Sequence, residues 1–184
     1  MRAPLHTERL VIRPFVLDDE EAASALWLAT FGTALVRQRL TWLALTPGQL
    51  EDLHQPPIGD RALVRRDDGT LVGIVGLTYA RGPYSLLEHR PEPGTPIQWT
   101  LEIGLFWALH PDHRGQGYAT EAGRRMAQLA ADDARTPRVI AHTTHDNLAS
   151  RRVMERLGMT VQTFHEVSDA PWFQVVGALR TAHG

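Results

Sequence analysis

Three short stretches carry side chains that could do chemistry together. His110 to Gly117 (HPDHRGQG) is a polar turn with one proline, two glycines and the cation Arg114. Asp146 to Ser150 (DNLAS) sets a helix-capping amide, Asn147, three residues before a hydroxyl, Ser150. Glu102 is the only ionisable residue in the apolar run Leu101 to Leu109. A Gly-rich turn between a strand and a helix makes an anion cradle. Free N–H groups at the helix start converge on one spot, and the helix dipole makes that spot positive. Gly115 and Gly117 carry no Cβ, so a phosphate can approach the backbone, and Arg114 can pair with its oxygens.

Two phosphate-loop readings fail on the residues. A Walker loop needs Gly-Lys-Ser/Thr, and the chain contains no lysine. A dinucleotide fingerprint needs a third glycine where Thr120 stands. The histidine pairs His110/His113 and His142/His145 do not suit a metal: the first lies on a proline turn, the second points to opposite faces of a strand, and no carboxylate cluster completes either. With no cysteine there is no disulfide, thiolate nucleophile or Cys-ligated metal. No metal is expected.

What remains is Arg114-x-x-Gly117-x-Ala119 immediately after a strand. This resembles the acetyl-CoA signature of the GNAT N-acetyltransferase superfamily. The wording HPDHRGQGYATEA and the opening TERLVIRPF followed by DDEEA are similar to its RimJ/RimL-type branch. A second pattern agrees. Asn147-x-x-Ser150, then Leu157-Gly158-Met159, is similar to the family's N-x-x-S and L-G-F, with Met for the final Phe. The resemblance covers nearly the whole chain.

The resemblance implies an acetyl-CoA site. The pyrophosphate would sit on the amides of Arg114, Gly115, Gln116, Gly117, Tyr118 and Ala119. The thioester would lie at Trp107, Ala108 and Leu109, where a backbone N–H of Trp107 or Leu109 would hold the oxyanion. Asn147 would bond the pantetheine arm. Ser150 would take the place of the family's acidic Tyr, since no Tyr follows Tyr118; the plain alternative is that it only stabilises the helix start.

Acetyl transfer to an amine requires that the amine lose a proton. Glu102 is the expected base, because a buried carboxylate titrates nearer neutrality. In the commoner family strand the Glu lies seven residues before the Pro; here the separation from Glu102 to Pro111 is nine, an even offset that keeps the face. Asp169, Glu166 and His145 are reserves.

The elements that position these groups read as follows. Thr7 to Val16 alternates as a first strand. Asp18 caps a helix running to about Thr30, Phe31 to Leu45 is a second helix after Gly32, and Thr46-Pro47-Gly48-Gln49 starts a short third one. Trp27, Trp42 and Leu53 line an acceptor pocket or are core. Asp67-Asp68-Gly69 turns between strands 61–66 and 70–80. Gly82 to Pro96 is a long connection, either an acceptor or dimer element or a surface insertion. Tyr118 to Ala130 is a helix, Arg138 to His145 a strand, and Asn147 caps a helix stopped by Gly158. Thr160 to Val167 and Phe173 to Thr181 are the last strands.

The chain has 184 residues, 43% of them hydrophobic, 22% charged, with net charge −2. That fits a single domain, 1–184. The balance gives no reason for a nucleic-acid partner, and no apolar run approaches a membrane span. Lacking a signal-peptide core, the chain has the cytoplasm as its expected compartment. The fold implied is α/β: a mixed, largely antiparallel seven-stranded sheet with helices on both faces. The expected function is N-acetylation of a primary amine, on a protein N-terminus or a small molecule, by direct transfer from acetyl-CoA. The rival is a non-catalytic acyl-CoA-binding or interaction module. A homodimer is an open expectation from the family.

Overall fold

The computed structural model describes residues 3–89, 91–92, 94–134, 136–165, 167 and 170–182. Among these residues eight strands form one sheet: β1 Leu5–His6, β2 Leu10–Pro14, β3 Gly59–Arg65, β4 Leu71–Gly82, β5 Thr100–Leu109, β6 Arg138–Thr143, β7 Thr160–Thr163 and β8 Val175–Arg180. Four helices among the described residues cover it: α1 Glu20–Phe31, α2 Arg37–Asp52, α3 Tyr118–Ala134 and α4 Leu148–Arg156. The order across the sheet is β1-β2-β3-β4-β5-β6-β8-β7. Every pair is antiparallel except β5 with β6, which is parallel. The eighth strand arises because Leu5 and His6, ahead of the expected first strand, turn back to pair with Ile12 and Val11.

Side chains alternate along β5 as a pleat requires. Ile103, Leu105 and Leu109 join the core under α3 and α4, with Met126, Leu129 and Met154. Ala108 faces the other way, toward Phe15, Trp27 and Leu40 under α1 and α2. A third cluster on that second face gathers Ala80, Tyr84, Ile140, Phe164 and Phe173. It anchors the 82–96 connection, whose Tyr84–Leu87 portion is a 3-10 turn with Tyr84 fully buried.

Three local expectations are corrected. Asp18 does not cap α1. The 3-10 turn Leu17–Asp19 intervenes, and Asp19 accepts from Val16 N–H while pairing with Arg13. The helix after Gly32 does not end before Pro47: α2 runs through it, and Thr46 Oγ1 donates back to Trp42 O instead of forming a capping box. Interior proline costs about 3 kcal/mol. Leu40 and Leu43 before it and Gly48 after it are all buried, so both halves of α2 are held on one surface. The strand beginning at Arg138 stops at Thr143, where the chain turns into α4. No helix among the described residues is long and apolar enough to cross a membrane.

Candidate active site

The sheet opens where β5 leaves β6. The two strands pair only at Ile103 with Val139 and Gly104 with Ile140. Beyond that point β5 continues to Leu109 against β4 alone. His110 N–H donates to Val72 O on β4 at 2.9 Å. Backbone direction alternates along an antiparallel strand, so the N–H groups of Leu109 and Trp107 turn away from β4, into the opening.

A cleft of about 470 Å³ lies along this opening on the α3/α4 side. Its wall includes Trp107, Ala108, Leu109, Arg114, Gly115, Gly117 and Ala119, together with Asn147 and Ser150. Residues from three distant segments thus meet there. Gly115 and Gly117 adopt φ +76° and +85°, the left-handed region that glycine tolerates. Glu121 N–H, donating to Gly117 O, begins the helical ladder, so the N–H groups just before it remain available for an anion. Arg114 Nε donates to Leu109 O at 3.2 Å, tying the turn to the strand end. Asn147 caps α4 through Ser150 N–H to Oδ1, 3.1 Å.

The Gln116 and Tyr118 side chains lie outside the wall; what was expected of these two residues concerns their backbone amides. The Gln116 carbonyl accepts from Arg9 at 2.9 Å, and the buried Tyr118 ring lies 4.7 Å beneath the Arg9 guanidinium. Arg9 Nε also donates to Glu121 Oε2 at 2.8 Å, while Arg9 N–H and Thr7 Oγ1 donate to Oε1 at 2.8 and 2.6 Å. The N-terminal Thr-Glu-Arg thereby fastens the Gly-rich turn to the sheet. Burial works against the Glu121 carboxylate, but the bonds from Thr7 and Arg9 outweigh it and hold its pKa below the usual value.

A second cavity, about 110 Å³, draws its lining from both faces of the sheet. Ser150, Leu105, Trp107 and Ala141 line it on the α3/α4 side, and Thr78, Gly104, Phe106 and His142 on the opposite side. It shares Trp107 and Ser150 with the larger cleft. Glu102 lies on this second face but lines neither cavity. Its oxygens accept from Arg138 Nη2 at 2.7 Å and Nε at 3.1 Å, and from Thr100 Oγ1 at 2.9 Å.

Of the reserves, His145 stacks on His165 at 5.0 Å, and Glu166 and Asp169 lie outside the described residues. Trp27 is core, while Trp42 and Leu53 are exposed; none lines either cavity. Among the described residues no three or more His, Cys, Asp or Glu side chains gather as a metal would require.

Sequence reasoning missed Thr120, Arg152, Val153 and Arg156 in the cleft wall, and His142 in the smaller cavity. Helical spacing from Asn147 carries part of the signal, since Arg152 and Arg156 are one turn apart on α4. His142 carried none, because its placement depends on where β6 lies.

The family model for an acetyltransferase (GNAT) domain matches residues 9–160. The chain belongs to the GNAT acetyltransferase family. An uncharacterised N-acetyltransferase of Bacillus subtilis (strain 168), YnaD, is 34% identical over 165 residues, 86% of this chain and 83% of that protein. An acetyltransferase from Agrobacterium tumefaciens superposes with a TM-score of 0.66 at 22% identity, over 97% of this chain and 95% of its own. RimL, a ribosomal L7/L12 alpha-N-protein acetyltransferase in complex with coenzyme A, superposes with a TM-score of 0.65 at 12% identity, over 99% of this chain and 100% of its own. These likenesses agree with the GNAT fold found here, with one strand more than the sequence indicated. The GNAT family uses acetyl-CoA. The turn after β5 offers the N–H groups and close backbone approach that a pyrophosphate needs, so the residues present fit that co-substrate.

Proposed function

We propose that this GNAT acetyltransferase moves the acetyl group of acetyl-CoA directly to a primary amine, on a protein N-terminus or a small molecule. One observation carries the reading. The cleft that fits acetyl-CoA shares Trp107 and Ser150 with a cavity whose lining also includes residues of the other face of the sheet. The two substrates can therefore reach one carbonyl from opposite sides. With no cysteine in the chain, transfer without an S-acyl intermediate is the economical route.

The residues divide the work. The amides from Gly115 to Ala119 hold the pyrophosphate. Arg152 and Arg156, cations on the cleft wall, serve the remaining phosphate. Asn147 keeps amide donors for the pantetheine arm while its oxygen caps α4. The N–H groups of Trp107 and Leu109 face the thioester oxygen as charge builds there. Ser150, at the junction, protonates the departing sulfur. RimL's action on a ribosomal protein's α-amine makes a protein N-terminus one acceptor to test.

Thermal unfolding with acetyl-CoA tests the cleft. At one hundred times the dissociation constant, binding adds about 2.7 kcal/mol, a rise of roughly 5–10 °C for a chain of this size. Free thiol release across an amine panel then tests transfer. No rise at millimolar acetyl-CoA would remove the reading. A rise without turnover on any amine would leave a binding module.

A further inference from the structure

Transfer needs a group that removes a proton from the amine, and Glu102 is ill placed for it. Both its oxygens are engaged, and it lines neither cavity. His142 is differently placed. It stands on β6, two residues beyond the last paired position, on the sheet face opposite Ser150. It lines the same cavity as Ser150 and Trp107. One side packs against Trp172, ring centroids 5.1 Å apart, and the rest stays open at the cavity mouth.

We propose that His142 is the proton acceptor for the incoming amine, which enters on the face of the sheet opposite α3 and α4. The inference rests on the acetyl transfer proposed above. The amine lone pair forms the N–C bond to the thioester carbon, and the imidazole takes the proton that nitrogen must lose. The C–S bond breaks with its electron pair on sulfur, and the Ser150 hydroxyl gives that sulfur a proton. The imidazolium then releases its proton to solvent, and Ser150 regains one.

Surroundings support a neutral imidazole. Water is displaced from the part of the ring packed against Trp172 and the cavity wall, and this desolvation pushes the His142 pKa below its ordinary value, although the residue as a whole is exposed. The charged and titratable groups around it are occupied. Glu102 on β5 and Glu88 bind Arg138 of β6, while Arg81 of β4 lies over Trp99. His145 stacks on His165, Asp146 accepts from Thr144, and β8 places Val176 opposite. Such an imidazole is a weak base, matched better to an amine of pKa near ~7.8 than to a lysine amine near ~10.4. The acceptor class is therefore α-amines and others of similar basicity.

The first measurement needs no acceptor. Ring resonances of His142, assigned by their absence in His142→Gln, are followed by NMR through a pH titration and on saturation with acetyl-CoA. They should titrate below pH 6.5 and should move when acetyl-CoA binds. Titration above 6.5, or unmoved signals when acetyl-CoA has raised the melting temperature, overturns the proposal. Absence of any acetyl-CoA effect on melting overturns the acetyl-transfer reading with it, and so is a distinct failure.

The second measurement is turnover on a mixture of tripeptide amides with free N-termini. His142→Gln should lower kcat by about 100-fold or more, leave the acetyl-CoA dissociation constant within about twofold, and abolish the fall in kcat below pH 6.5. Imidazole in the buffer should restore part of the rate to His142→Ala. Wild-type turnover in His142→Gln, or loss of that acid limb in Glu102→Gln instead, overturns the assignment.

Discussion

Gly117 shows how a single residue can carry a binding site. Its φ of +85° strains any residue with a Cβ, and a Cβ there would also sit 3.3 Å from Arg9 Nη2. Gly117→Val should therefore distort the turn and raise the acetyl-CoA dissociation constant by more than tenfold, while circular dichroism stays that of the wild type. Calorimetric titration checks it, and an unchanged constant would refute the cradle. Glu102 lies at the opposite extreme. It stands where a base was expected, yet it and Arg138 have side-chain exposures of only 10% and 13% and hold each other at 2.7 Å. The hydrogen bond to Glu102, more than the charge attraction, keeps the Arg138 guanidinium above its usual pKa despite burial. Glu102→Gln should cost about 2 kcal/mol of stability by weakening a largely buried charged pair. Urea unfolding measures that loss.

At the scale of elements, the N-terminal segment and α3 act together. Glu121 is held by three bonds from Thr7 and Arg9, and its pKa is lowered. A lowered folded pKa contributes stability above the unfolded value near ~4.3, which is lost as pH falls through the folded value. Wild type should thus be more stable than Glu121→Gln at pH 7, with the difference shrinking as pH falls below the unfolded value near ~4.3. Denaturant titrations at several pH values read this directly, and a difference that grows or stays constant as pH falls would contradict it. Helix α4 gives a second expectation. Arg152 and Arg156 face the cleft but belong to no expected motif. Arg152→Ala with Arg156→Ala should weaken CoA binding by roughly tenfold or more, and dephospho-CoA binding much less, since a charge-assisted bond is worth about 1.5–3 kcal/mol.

For the whole molecule, close approach of strands is the limiting feature. A Cβ on Gly76 would meet Gly59 O at 2.4 Å and the Phe106 ring at 2.5 Å. The first is backbone of β3 and cannot swing aside. Gly76→Ala should cost about 1–3 kcal/mol by overpacking, seen as a lower urea midpoint with unchanged slope. Much of this molecule was legible beforehand. The strand over 101–109, the turn with two glycines and the Asn147 cap appear within a residue or two of their expected bounds, and the helix after the turn starts where expected but runs four residues further, to Ala134. Each rests on local chemistry: alternation, positive φ, a capping side chain. Pro47 misled because its local cost is outweighed by burial on both sides. The surroundings of Glu102 were not legible, because its partner, Arg138, comes from a strand 36 residues away.

The family, the Gly-rich turn and the candidate hydroxyl at Ser150 were thus readable from the chain alone, since these depend on residue types at fixed short spacing. Only the tertiary structure decided which side chains meet. The pairing of β5 with β6 stops after two residues, and that divergence, absent from any local pattern, opens the sheet. It brings His142 and Ser150 to one cavity from opposite faces and leaves Glu102 bound beside it. Pairing that ends early is a property of two strands and the layers packed on them, so no single stretch of the chain contains it.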